Sequence, residues 1–473
     1  MLPPTMAPRP PGFPAYPPYQ YPPGFPPLPP PPPRGPRRAA AVVVTIIALI
    51  LITTLTLGVT AAIAGQSNAV IGDGAVKSPD DNDGSDVRVN YLEQKAKAEL
   101  ADSAEGLLDG NEDKWLSVYD GSVHDEMKRR YNSLRALRVS SFDYQVVKPP
   151  EDKSGGTWAL NLGVNYCLGG KKHAKCGPSG ILFNTEWTDK DDSFLITRVD
   201  ESDPNSAGPR PWEVEDLKAK VGKRAIVAGP AKYEDKLNDA LSVAESAAEN
   251  ADKYAVYGKV DRYVIFLAGD EEFARWYGIG DPGDNVVGFA IPLPEVTKNG
   301  GTKPGGSEVV VHVDRAQANS TEFTATMRHE LGHVATLHHS PEHHRIEEDW
   351  WLSEGVAELI DHGAPKDAPL KEHPYLRSRD VQEYFKKDKW NGKMDPATPT
   401  DDQLTGSAKY GIAFYGVYYL FDKYGKDKFM KYFKKIARNG EDPDKSTKSV
   451  YGKSYDALLK EIAKQVKKMA KAA

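Results

Sequence analysis

His329-Glu330-Leu331-Gly332-His333 is the stretch on which the reading of this chain turns. Histidines four apart on a helix project from one face, one turn from each other, so their imidazoles can converge on a single metal ion. The glutamate between them lies close enough to polarise a water held by that ion. Histidine is scarce, with 11 among 473 residues, and a chance match to this pattern is correspondingly rare. A polar helix face that holds no metal is the competing reading of the pentapeptide taken alone.

Ser320 and Thr321 are both suitable caps for the helix that carries the pentapeptide. Upstream of it, periodicity predicts strands at Val221–Ala228, Tyr263–Ala268, Val286–Leu293 and Val309–Val313, with helices at Tyr233–Ala251 and Glu271–Tyr277. Downstream everything reads as helix. Residues 211–473 therefore form one predicted domain, a small sheet followed by a helical subdomain, with the histidine helix at the junction.

Two histidines do not hold zinc in a catalytic geometry; a third protein ligand is needed, with one position left for water. His339 is one candidate. It falls where the metzincin pattern His-Glu-x-x-His-x-x-Gly-x-x-His has its last histidine, but Thr336 occupies the glycine position where the chain must turn sharply. The other candidate is Glu354, in Trp351-Leu352-Ser353-Glu354-Gly355-Val356-Ala357-Glu358. That stretch resembles the Trp-Leu-x-Glu-Gly-x-Ala motif of the gluzincin metallopeptidases, the clan of thermolysin and aminopeptidase N. The resemblance implies a zincin fold and one zinc ion per chain, held by His329, His333 and Glu354. It also implies that Glu358, four residues on, accepts a hydrogen bond from His329. Lys409-Tyr410-Gly411-Ile412-Ala413-Phe414-Tyr415 resembles the tyrosine-led helix of the same clan, which would make Tyr410 the donor to the developing oxyanion. In the clan the substrate pairs with an edge strand before the metal helix, and Val309–Val313 is the expected strand. The clan's aminopeptidases carry a Gly-x-Met-Glu-Asn segment that this sequence lacks, which leaves exopeptidase action without its usual anchor.

The N-terminal part is segregated by composition. Of 37 prolines, 18 lie in the first 36 residues, so residues 1–38 are expected to be a disordered tail, open to a polyproline-binding partner. Residues 39–64 contain no charge and match a bilayer in length, flanked by Arg34, Arg37 and Arg38 on one side and by Asp73, Asp80, Asp81, Asp83 and Asp86 on the other. The charge bias predicts a single-pass anchor with a cytoplasmic N-terminus and extracellular C-terminal domains. Residues 65–90 read as a flexible acidic stalk. The only cysteines, Cys167 and Cys176, flank a Gly- and Lys-rich hairpin tip and are expected to form a disulfide.

From Tyr91 a helical period gives way near Val139 to strands at 142–147, 157–167, 181–188 and 194–199. Residues 91–201 are therefore predicted to be a small α+β domain, followed by a linker over 202–210. Leu107-Leu108-Asp109-Gly110-Asn111, Trp115-Leu116 and Leu134-Arg135-Ala136-Leu137 resemble the cone-shaped nuclear-transport-factor-2-like domains, which implies a spacer or small-ligand module.

The fold class expected for the whole chain is α+β: an anchor, a cone-like domain and a zincin-type domain. The function it implies is a membrane-anchored zinc metallopeptidase acting on peptide or protein substrates outside the membrane, with Glu330 as general base toward a zinc-activated water. The alternative is a non-catalytic envelope scaffold that keeps a peptidase-like fold. With 61 basic against 67 acidic side chains, no nucleic-acid partner is expected.

Overall fold

The run Tyr263–Ala268 is apolar and buried at every position, and a strand of that kind needs cover on both faces of its sheet. The two halves of the chain supply it. The computed structural model describes Pro79 and residues 84–170, 177–190, 193–280, 286–316, 320–340, 346–398 and 400–472, which fall in one compact unit.

The first half opens with helices α1 (Ser85–Asp109), α2 (Glu112–Leu116) and α3 (His124–Ala136). Leu92, Ala96, Leu100, Ala104 and Leu107 bury one stripe of α1 at helical spacing. Strands β1 (Val139–Val146), β2 (Glu151–Asp152), β3 (Thr157–Leu168), β4 (Ser179–Lys190) and β5 (Ser193–Val199) follow. They pair antiparallel in the order β1-β3-β4-β5, with β2 beside β3. Cys167 is disulfide-bonded, and the chain's other cysteine, Cys176, lies outside the described residues.

Helix α4 (Pro211–Val214) leads into β6 (Leu217–Val221), β7 (Ala225–Pro230), α5 (Leu237–Ala251), β8 (Tyr263–Ala268), α6 (Asp270–Arg275), β9 (Gly288–Val296) and β10 (Thr302–His312). The second sheet has the order β6-β7-β8-β10-β9. Its three central strands are parallel and its two outer strands antiparallel. On one face Val227, Ile265, Leu267, Val309 and Val311 share a core with α5 and the histidine helix. On the other, Ile226, Ala228, Phe266 and Val310 share a core with the first half. Residues 221–228, predicted as one strand, are the facing ends of β6 and β7; Gly222 N donates to Ala225 O at 2.9 Å and closes the turn between them. Val309–Val313 is also placed differently from the prediction. β10 lies inside the sheet between β8 and β9, and β9 is the edge, because the β9–β10 hairpin folds outward from the parallel core.

The predicted linker is buried at Ser202, Ser206 and Arg210. Arg210 donates to Gly180 O at 2.9 Å and to Ser206 O at 3.1 Å. Next to it Glu308 of β10 accepts from Tyr166 of β3 at 3.0 Å and from Tyr277 at 2.6 Å. These bonds join the two halves through groups that are fully withdrawn from water and cannot be left unpaired without cost.

The rest is helical: α7 (Thr321–Leu337), α8 (Ile346–His362), α9 (Ser378–Lys386), α10 (Gln403–Tyr424), α11 (Lys426–Phe433), α12 (Pro443–Tyr451) and α13 (Tyr455–Ala472). The expected membrane anchor is corrected. No helix among the described residues is long and apolar enough to cross a membrane. The longest ones explain why: α1 and α13 each carry a charged face, and α10 is packed inside a helical core. The predicted span at 39–64 lies outside the described residues, and the single-pass topology and extracellular placement built on it are withdrawn with it.

Candidate metal centre

Ser320 caps α7 by accepting from Phe323 N at 3.0 Å, which fixes where the helix starts and so which face turns inward. That face carries His329, Glu330 and His333, at 2 %, 0 % and 2 % exposure. Helix α8 crosses behind it and presents Glu354, itself 0 % exposed. The crossing is close because Gly355 has no side chain: a Cβ there would stand 2.5 Å from Ala413 O and from Val417 Cγ2 of α10. The small residue next to the acid is thus what lets α8 and α10 close around the site.

His329 Nε2 lies 3.1 Å from Glu354 Oε2 and 3.1 Å from His333 Nε2, and His333 Nε2 lies 3.4 Å from Glu354 Oε2. Bonds of about 2.0–2.1 Å to a tetrahedral zinc would hold donor atoms about 3.3 Å apart. The triangle therefore has the size a zinc ion requires. Among the described residues Glu354 Oε1 is buried without a hydrogen-bond partner, so the protein contacts described do not fully satisfy this carboxylate. Among the described residues this is the one group of three or more metal-ligating side chains whose donor atoms converge. Burial alone would strip the proton from His329, yet Glu354 and Glu358 hold its pKa well above the ordinary imidazole value. Burial likewise pushes Glu354 up, but the two imidazoles outweigh it and leave its carboxyl below the usual range. The carboxylates around His329 thus favour positive charge on its ring.

A second ring of partners stands behind this triangle. Glu358, one turn beyond Glu354, places Oε1 3.4 Å from His329 Nδ1. The same oxygen accepts from Arg377 at 3.2 Å, and Tyr375 donates to Oε2. Glu358 is expected here from the resemblance to the gluzincins; Arg377 and Tyr375 are not. They lie in an irregular segment before α9, and no period or motif marks them. Burial pushes Glu358 up, and Arg377 and His329 more than reverse the shift. A buried charge deprived of its partner costs several kcal/mol. Arg377→Met is therefore expected to destabilise the chain by about 3 kcal/mol in urea unfolding, and Tyr375→Phe by about 2.

Tyr410 of α10 packs beside the triangle. Its ring centroid lies 6.3 Å from that of His329 and 5.0 Å from that of Trp350, and Arg377 stands over the ring at 5.4 Å. Burial and the charges of Glu354, Glu358 and Glu330 hold its pKa well above that of a free phenol, so it stays a hydrogen-bond donor. His339 is turned elsewhere. It has a left-handed backbone, φ 53°, and its imidazole faces the backbone of Pro304 and Gly305. Thr336, at the position where a sharp turn would need glycine, instead continues α7 and donates to Gly332 O at 2.8 Å.

A groove runs beside His333 between β9, the start of β10 and the end of α7. Ala290, Pro292, Leu293, Pro304 and Leu337 give it an apolar lining. At the other end of the site Gly288 lies under Glu330: a Cβ there would stand 3.5 Å from Glu330 Cγ and 2.7 Å from Thr326 Cγ2.

No protein-family model matches this chain, and no curated protein matches it significantly.

Proposed function

We propose that the chain is a zinc-dependent metallopeptidase of the gluzincin type. The observation that carries the reading is the buried convergence of His329, His333 and Glu354 with Glu330 on the same helix face. His329, His333 and Glu354 would hold the ion. A bound zinc would supply Lewis acidity, polarising the scissile carbonyl and lowering the pKa of water at the site.

The chain's own groups do the rest. Glu330 takes a proton from the attacking water and returns it to the leaving amine nitrogen. Tyr410, kept protonated by its surroundings, donates to the oxygen that gains negative charge in the transition state. Glu358 accepts the Nδ1 proton of His329 and so fixes the tautomer that leaves Nε2 free to ligate. Arg377 and Tyr375 hold Glu358 in that position. The groove beside His333 supplies one wall for the substrate.

Purified protein incubated with a peptide library and read by mass spectrometry tests this. Cleavage should stop when 1,10-phenanthroline removes the metal and return when zinc is restored. Cleavage that persists in chelator, or no cleavage of any peptide by the zinc-loaded chain, rules the reading out.

A further inference from the structure

The C-terminal segment concentrates a charge that the chain as a whole does not show. Residues 423–473 hold 15 basic side chains against six acidic ones, whereas the net charge of the whole chain is −6. The fold gathers a third of those basic groups on one helix face. Lys460, Lys464, Lys467, Lys468 and Lys471 of α13 are all exposed. With 3.6 residues per turn they share an arc of about 100° and a length of about 16 Å. Leu458, Ile462, Val466 and Ala470 form the opposite, buried face. Ile462 meets α10, where a Cβ on Gly416 would stand 3.2 Å from its Cγ2. The lysines therefore point away from α10 and the metal centre. Among the described residues none of the five forms an ion pair. Glu461, the only acid between residues 460 and 471, is turned aside. Lys423 donates to its Oε1 at 2.6 Å, and Lys453 donates to its Oε2. What remains is a line of uncompensated positive charge.

The surroundings of this line narrow what it fits. The exposed large apolar side chains among the described residues are Val87, Val256 and Leu376, none of them on α13, so the face has nothing to insert into lipid. Trp390, beside the stripe, is half-buried and already engaged: Phe385 stacks on its ring at 4.7 Å, and Lys467 stands over it at 5.4 Å. It is no bare platform for a nucleobase. The one arginine of the segment, Arg438, is occupied by Thr336 O and His338 O. Recognition is left to lysine ammonium groups, point charges suited to phosphate. We propose that the α13 face binds a linear polymer of phosphate groups, one that carries neither bases nor acyl chains. The polymer lies along the helix and contacts successive lysines, and the metal centre takes no part.

The probe is end-labelled long-chain polyphosphate, titrated with the full chain and read by fluorescence anisotropy. Five lysine contacts predict a slope of about −3.5 in log affinity against log salt, which is a loss of about 100-fold between 50 and 200 mM salt. Changing all five lysines to glutamine should weaken binding at the lower salt by about 100-fold or more and flatten the slope. Lys464→Gln with Lys468→Gln alone should reduce the slope by about 1.4. Glutamine matches lysine in helix propensity and the positions are exposed, so urea unfolding should stay as in the parent. Glutamine at Lys97, Lys148, Lys153, Lys298 and Lys303, exposed lysines elsewhere, makes the same change in net charge and should leave binding close to the parent's. No binding at the lower salt overturns the proposal. So does a variant of the α13 lysines that binds like its parent, or a control set that loses as much. Tighter binding of oligothymidylate of equal charge, or of vesicles containing phosphatidylserine, also overturns it, in favour of nucleic acid or of a membrane surface. Peptide cleavage is not read, so the outcome is independent of the proposed function.

Discussion

Glu330→Gln is expected to lower peptide cleavage by about 10²–10⁴-fold while zinc binding and stability stay near wild type. The substitution keeps the side chain's size and removes its basicity. Glu330 is fully buried on α7, and its Cγ packs toward Gly288, so an amide of the same shape is accommodated. It is not among the three side chains whose donor atoms converge. The expected signature is a fall in kcat with zinc stoichiometry unchanged. A variant that cleaves as well as its parent would assign the proton transfer to another group; one that loses zinc would make Glu330 a ligand.

The second large effect is expected at the third ligand. Glu354→Ala should weaken zinc binding by well over the roughly 10–100-fold that loss of an outer partner costs. It removes one corner of a triangle whose sides are 3.1, 3.1 and 3.4 Å. It also leaves the two imidazoles without the carboxylate that lies between them and the bulk of α8. His339→Ala should change zinc affinity little, because that ring faces Pro304 and Gly305. Equilibrium competition with a chromophoric chelator measures both. Full retention of zinc by Glu354→Ala, with loss in His339→Ala, would exchange the roles of the two residues.

Part of this cluster of side chains was legible in the sequence, the histidine pair from its spacing and Glu354 from the family resemblance. The i, i+4 spacing of His329 with His333, and of Glu354 with Glu358, places each pair on one helix face whatever the fold around it. The structure then brings the two faces together. Glu354 converges with the two histidines, whereas the His339 ring faces Pro304 and Gly305. What the sequence did not reveal depends on contacts between distant segments. Arg377 and Tyr375 reach Glu358 from a segment without period, across 19 and 17 residues. The edge position of β9 depends on the β9–β10 hairpin folding outward from the parallel strands, which no local pattern in the sequence marks. Residues 202–210 have the composition of an exposed linker, yet Arg210 is buried there and ties the segment to β4 through Gly180 O. Residues 39–64 have the composition of a membrane span, but the described helices provide none.

The zinc K-edge absorption spectrum of the zinc-loaded full chain bears most directly on the centre itself. The expected result is one zinc per chain, with two imidazole nitrogens and one carboxylate oxygen at about 2.0–2.2 Å and a light-atom ligand in the remaining position. Failure to hold stoichiometric zinc, or a first shell with three imidazoles, would contradict the assignment of His329, His333 and Glu354.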